Sequence, residues 1–140
     1  MATGILSVQV STGANRVARQ DIEVPAEGPG YVTGHGGAVT QITNRATGVT
    51  INTKCGQITT DATSLAAGTE ATFIVTNNKV AAGDVVVACA ASGQTASTSV
   101  VHVTAVAAGS FSITLTNLHA STADTGAMVI NFAIIKAVAA

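Results

Sequence analysis

Apolar and polar side chains alternate along several short segments of this chain. The clearest case is residues 111–117, which read FSITLTN. In an extended chain Phe111, Ile113 and Leu115 fall on one side, and the Ser and Thr residues fall on the other. This period of two predicts a β-strand with one buried and one solvated face.

Similar segments recur at short intervals beyond residue 30. Turn signals such as Thr47-Gly48 separate them, and a Val/Leu-Ala-Ala-Gly tetrapeptide occurs three times, ending at Gly68, Gly83 and Gly109. No window has a helical period with caps. Short strands with turn signals every 8–12 residues or so are typical of sandwiches and jelly rolls. We therefore predict an all-β fold, a compact antiparallel β-sandwich or jelly-roll-like domain. Its strands are predicted near residues 38–43, 49–54, 57–60, 70–77, 84–90, 100–106, 111–117 and 128–138.

The last predicted strand, residues 128–138, is apolar on both faces. Its even-numbered positions from Met128 to Ile134 are all apolar, and Asn131 interrupts an otherwise apolar second face. Such a strand either lies in the centre of the sandwich or packs its second face on a neighbouring subunit. The residues predicted for the core or for a trimer contact are Phe73, Phe111, Ile130, Phe132 and Ile134.

Charge is concentrated near the N-terminus. Residues 16–27 hold five charged residues, and residues 25–30 contain both prolines of the chain. A Pro/Gly cluster at such a composition shift indicates a hinge. We predict that residues 1–30 form an extended N-terminal arm, in which a short hairpin is an option, and that residues 31–140 form the β-sandwich domain.

Composition indicates a surface that other subunits cover. The chain has 140 residues with a net charge of -1, and only 9% are charged, where soluble domains average about 25%. A surface of Thr, Ser, Asn and Ala gains little solubility from charge. We therefore expect the protein to associate with itself as a homotrimer or with other subunits.

Several classes of partner are disfavoured. Six basic residues balanced by seven acidic ones form no nucleic-acid patch. No apolar stretch is long enough to span a membrane, and the start of the chain does not resemble a secretory signal. Cys55 and Cys89 lie in apolar strand-like segments, so we interpret them as buried free thiols of a protein made in a reducing cytosol. A disulfide between them is the weaker alternative.

Candidate chemistry is sparse. Asp124-Thr125-Gly126 matches the aspartic-protease tripeptide, but only fourteen residues follow it, and a turn explains it better. The glycine-rich residues 34–37 indicate a tight bend before the first strand. The three histidines are far apart in the sequence, and Asp61 and Glu70 are a weak glycosidase pair. We predict no catalytic, cofactor-binding or metal-binding residues, no cofactor and no enzymatic activity.

Five segments resemble a domain found in virion proteins of tailed phages. Residues 35–41 read HGGAVTQ, residues 47–52 read TGVTIN, and residues 55–59 read CGQIT. Residues 65–77 contain LAAG and FIVTN, and residues 129–137 read VINFAIIKA. The family includes capsid decoration or cement proteins and head- or tail-fibre proteins, commonly trimers. The resemblance implies a compact β-sandwich without catalytic residues.

The resemblance covers about residues 34–138 and leaves the arm outside. It implies a trimeric cement protein on the capsid exterior of a tailed phage, assembled in the cytoplasm of the host bacterium. The alternative is a head- or tail-fibre module that binds a host-surface glycan or protein, and a small hydrolase is a third class. The expected partners are the protein itself and the major capsid protein. The candidate capsid contacts are Ile5, Val8, Val10, Arg16, Arg19, Asp21 and Glu23.

Overall fold

The structure is a computed structural model that describes residues 30–95 and 99–137. These residues form eight β-strands and no helix, which confirms the all-β prediction. Each predicted strand is present, although the second is much shorter than expected. The strands are β1 (Gly36–Thr40), β2 (Val49–Thr50), β3 (Cys55–Thr59), β4 (Glu70–Thr76), β5 (Val85–Ser92), β6 (Ser99–Ala107), β7 (Ser110–Asn117) and β8 (Val129–Ile135).

The strands form two four-stranded sheets that pack together. Sheet A has the order β1-β3-β8-β5, and sheet B has the order β2-β4-β7-β6. The sheets are mixed where we expected purely antiparallel ones, because β1 and β3 run parallel, as do β2 and β4. Parallel neighbours need a crossover connection. Here a strand of the opposite sheet supplies it, since the chain passes from β1 through β2 to β3.

The core lies between the two sheets. Phe111 of sheet B and Phe132 of sheet A meet there, with ring centroids 5.5 Å apart and planes tilted by 46°. Such tilted aromatic pairs contribute beyond the area that they bury. Phe73, Ile130 and Ile134 are also buried in this layer. All five residues that we assigned to the core or to a trimer contact are therefore covered by their own chain.

Glycine is required at two of the repeated tetrapeptides. Gly68 and Gly109 have φ angles of 68° and 84°, in the left-handed region that residues with a Cβ rarely adopt. Gly109 makes the turn between β6 and β7. Gly83, which ends the remaining copy, does not adopt this conformation. The three copies are alike in sequence, but only two of them are alike in backbone geometry.

The sandwich has two distinct ends. The connections that leave β1, β3, β5 and β7 lie together at what we call the loop end. The pairing registers place the ends of β1, β3 and β5 beside the start of β8, and the Leu65–Asp124 bridge joins the β3–β4 connection to the β7–β8 connection there. The opposite, terminal end holds Tyr31 and Lys136. There Lys136 forms an ion pair with the buried Asp84, which also accepts the Ala137 N–H at 3.3 Å. This ties the end of β8 to the β4–β5 connection.

The Asp84 carboxylate is held in its charged form at the terminal end. Burial by itself raises its pKa, but hydrogen bonds from Lys136 and from the Ala81 and Ala137 N–H groups outweigh burial and lower it. Asp84 therefore holds the segment that follows β8, as far as Ala137, against the fold.

Phe132→Ala is expected to lower the free energy of unfolding by about 3–5 kcal/mol, because it removes a buried ring and leaves a cavity against Phe111. Chemical denaturation measures the change. Ile74→Ala, on an exposed position of β4, is the control and should have a small effect. Equal effects of the two substitutions would show that β8 is misplaced.

Candidate functional site

A buried ion pair lies at the loop end. Arg45 and Asp124 are 3% and 0% exposed, and Nη2 of Arg45 lies 3.5 Å from Oδ1 of Asp124. The same nitrogen donates to the carbonyl oxygens of Asp124 at 3.1 Å and Gly126 at 2.7 Å, and Nε donates to the Thr63 carbonyl at 2.5 Å. Buried charges persist only where such additional hydrogen bonds accompany the pair.

The Asp124 carboxylate has a full set of donors. It accepts the Ser99 hydroxyl at 2.6 Å and the N–H groups of Thr95 and Gly126, both at 3.1 Å. Burial raises the pKa of Asp124, but these hydrogen bonds and the charge of Arg45 outweigh burial and hold the pKa below its ordinary value. The carboxylate is therefore ionised at neutral pH.

This network joins all four connections of the loop end. Arg45 comes from the β1–β2 connection, Thr63 from β3–β4, Thr95 from β5–β6, and Asp124 from β7–β8. The Asp-Thr-Gly tripeptide is thus a structural element of one chain. Its carboxylate is engaged by arginine instead of facing a second carboxylate. Nη1 of Arg45 is buried without a hydrogen-bond partner among the described residues.

Two buried asparagines end the central strands of sheet B. Asn117 is the last residue of β7, at the loop end, and its Nδ2 donates to the carbonyls of Leu65 at 3.0 Å and Thr122 at 2.9 Å. Asn77 follows β4 at the terminal end and donates to the Thr53 carbonyl at 2.8 Å. Each amide oxygen also accepts the N–H two residues later. The repeated Thr-Asn strand endings thus fasten the connections to the sandwich.

The four strands of sheet A lie wholly within the described residues, and none of them places a charged side chain on the outer face of the sheet. Val85 pairs with Ile135, and Val87 pairs with Ala133 beside them. Val85 and Val87 are each 51% exposed, and Ile135 is 49% exposed. These four residues form a contiguous apolar corner, which we call the β5–β8 corner. The remaining outward-facing residues of sheet A are Gly36, Ala38, Thr40, Cys55, Gln57, Thr59, Cys89, Ser92, Val129 and Asn131.

The outer face of sheet B is different in character. The Thr114 hydroxyl lies 2.8 Å from that of Thr72 and 3.1 Å from that of Thr104, which makes a row of hydroxyl groups across three strands. Glu70 and His102 lie on the same face. Sheet B therefore presents a hydrated face, whereas sheet A presents an uncharged and partly apolar one.

The cysteines lie on the outer face of sheet A, on either side of β8. Both are free, Cys55 is partly buried, and Cys89 is exposed. Burial raises the pKa of the Cys55 thiol. Our expectation of two buried thiols is therefore wrong for Cys89. An apolar neighbourhood in the sequence does not tell which side of a strand faces the core, because the two sides differ by a shift of one residue.

The predicted arm contacts lie in a part of the chain that the structure does not describe. Ile5, Val8, Val10, Arg16, Arg19, Asp21 and Glu23 lie outside the described residues, so their role stays a prediction. Within residues 30–95 and 99–137, no three His, Cys, Asp or Glu side chains lie together as metal ligands. Nδ1 of His119 accepts the N–H groups of Ser121 and Thr122, at 3.2 and 2.8 Å. The part of the chain that the structure describes contains no membrane-spanning helix.

Sequence reasoning missed the Arg45–Asp124 pair. The two residues are 79 positions apart, so no local pattern joins them. The signal that could have indicated the pair is the rarity of charge. Only eight charged residues lie beyond position 30, so each of them is a candidate for a structural role. A lone arginine between apolar strands is a candidate for a buried pair.

Comparisons with protein-family models, curated proteins and solved structures found no match to this chain. The resemblance described above therefore rests on the quoted sequence motifs, and the function has to be argued from the geometry of the molecule.

Asp124→Asn is expected to lower the free energy of unfolding at pH 7 by about 3–5 kcal/mol, because it leaves the Arg45 charge buried without its partner. Glu70→Gln, on an exposed carboxylate, is the control and should change little. A double variant, Arg45→Met with Asp124→Asn, should lose much less than the sum of its single variants. Additive losses would show that the two side chains do not interact.

The same pair predicts a pH dependence. The folded-state pKa of Asp124 is lowered, so below about pH 4 the unfolded chain takes up the proton first and stability falls. Denaturation at several pH values should show this decline in the wild type. The decline should be shallower in Asp124→Asn, in which the group no longer titrates. Parallel curves for the two proteins would contradict the assignment.

Proposed function

We propose that this protein is a structural virion protein, a homotrimeric cement protein on the exterior of a tailed-phage capsid. The observation that carries the proposal is the uncharged, partly apolar outer face of sheet A. It lies on a domain whose own core is filled and whose loop end is fastened by a buried ion pair. Such a face suits a subunit that is covered in an assembly. The sequence resemblance to virion domains points in the same direction.

The physical requirements of a cement protein match these features. A cement subunit has to remain folded and keep its shape while it bridges neighbouring shell subunits. Loops that are held by the buried ion pair and a filled core keep the subunit folded and preserve its shape. Several weak contacts on one trimer give strong overall binding, because the second and third contacts form at high effective concentration. The major capsid protein is the proposed partner, and the arm is the proposed anchor.

The alternative function is a fibre module that binds a host-surface glycan or protein. One observation favours it. Ile42 and Leu118 are 86% and 61% exposed, and both lie in connections at the loop end that Arg45 and Asp124 fasten together. Rigid loops that present apolar side chains are a common design for a binding surface.

The number of copies per virion separates the two functions. A cement protein covers the shell, so gel densitometry against the major capsid protein should give hundreds of copies per particle. A fibre module is present in only a few copies. Charged substitutions at Ile42 and Leu118 should leave capsid binding intact if the protein is a cement, and should abolish host attachment if it is a fibre module.

Deletion of residues 1–24 is expected to abolish binding to capsids that lack the protein, while the domain stays folded. The segment holds the closely spaced basic residues Arg16 and Arg19 and apolar residues such as Ile5. Co-sedimentation with purified capsids measures binding, and circular dichroism confirms the fold. Full-length protein with Lys79→Ala is the matched control for loss of a basic residue elsewhere. Co-sedimentation of the truncated protein at full occupancy would exclude the arm as the anchor.

A further inference from the structure

We propose that the outer face of sheet A, centred on the β5–β8 corner, is the surface through which copies of this chain contact one another. The inference deepens the proposed function, because it locates the self-association that a trimeric cement requires. It rests on that function only for the expectation that copies associate, and the partner is a second copy of the chain.

The exposed apolar side chains are contiguous on sheet A and isolated on sheet B. On sheet A, Val85, Val87, Ala133 and Ile135 are direct neighbours across β5 and β8. On sheet B the comparable side chains are isolated, since Ile74 pairs with Ser112, and Val100 pairs with Thr116. Single exposed aliphatic residues are ordinary on protein surfaces, whereas a contiguous group marks a contact.

The absence of charge on this face favours a second copy of the chain as the partner. In a symmetric assembly the same side chain of every copy lies at the same distance from the symmetry axis, so a charge near the axis would face the like charges of the other copies. The outer face of sheet A carries none. A charged partner would gain no complementary interaction from this face, whereas a second copy would meet no repulsion. The outer face of sheet B is less suited to such a contact, because it carries the polar side chains of Glu70 and His102.

The inward face of β8 is not open to contact between copies. The large apolar residues that sequence reasoning offered for a trimer contact, including Phe132 and Ile134, are buried inside one chain. Contact between copies must use other residues. The second face of β8 is Val129, Asn131, Ala133 and Ile135, and this is the face that turns outward from sheet A.

The size of the face sets the expected strength. Four strands about 4.8 Å apart and about six residues long, at about 3.3 Å per residue, present on the order of 400 Å². Two copies would bury about 800 Å² through this face, whereas standard interfaces bury about 1,200–2,000 Å². The association should therefore be reversible and should depend on protein concentration.

Val87→Asp in the full-length protein tests the inference. It places a charge in the middle of the β5–β8 corner, where a contact would bury it without a partner. Analytical ultracentrifugation from about 1 to 100 µM should show association of the wild type. The variant should need on the order of 100-fold higher concentration, or should stay monomeric. The matched control is Ile74→Asp, at a strand position that is 56% exposed on sheet B; it should associate like the wild type.

Cys89 provides a second readout on the same face. Its thiol is exposed in the single chain and lies opposite Asn131. Labelling by a maleimide should slow as the wild-type concentration rises, because association covers the face. In Val87→Asp the labelling should be fast at every concentration. Val87→Thr keeps the β-branched shape and should weaken association by a smaller factor. This variant replaces Val87→Asp in the test if the Asp variant does not fold.

Three results would overturn the inference: a folded Val87→Asp that associates like the wild type, equal weakening by Ile74→Asp, and a wild type that stays monomeric with fast labelling at 100 µM. Failure of the proposed function has a different signature. In that case Val87→Asp still disrupts association while Ile74→Asp does not, but the wild-type protein does not bind capsids.

Discussion

The loop end of this sandwich depends on one buried interaction, the ion pair between Arg45 and Asp124. Two charges removed from water are tolerated only when they are well placed and additional hydrogen bonds satisfy most of their polar atoms. Arg45 donates to the carbonyls of Thr63 and Gly126, and Asp124 accepts the Thr95 N–H. Four connections must therefore adopt one mutual arrangement, because a displaced connection would leave a buried charge without its partners. We therefore expect this network to contribute more to the specificity of the fold than to its net stability.

The two ends and the two outer faces of the domain have different roles. The core is filled by large apolar side chains from both sheets, and Asn77 and Asn117 hold the connections at the two ends through side-chain hydrogen bonds. Very little of the scarce charge is left for the faces of the sheets. The outer face of sheet B presents a row of hydroxyl groups, whereas the outer face of sheet A presents exposed aliphatic side chains. A domain that is so well closed internally, and still carries an uncharged apolar face, is consistent with a subunit of a larger assembly.

The strands were predictable because their signals are local. Alternation in residues 111–117 locates β7, and turn residues at Gly68 and Gly109 mark where strands begin. Parallel pairing was not predictable, because β1 and β3 are neighbours only after the chain has crossed to sheet B and returned. Alternation also leaves open which side of a strand is buried when both sides are apolar or small. For this reason Cys89 was assigned to the interior, although it faces outward.

The sequence by itself determined that the fold is all-β, where its eight strands lie, and that Phe73, Phe111 and Phe132 are large enough to fill a core. These properties follow from periodicity and side-chain size, which act over a few residues. The tertiary structure alone decided that Arg45 meets Asp124, which side of β8 turns outward, and that Val85 and Val87 join Ile135 in one apolar corner. The physical reason is that these relations depend on which strands become neighbours in space. That choice is made by packing of the whole chain and leaves no trace in the local pattern.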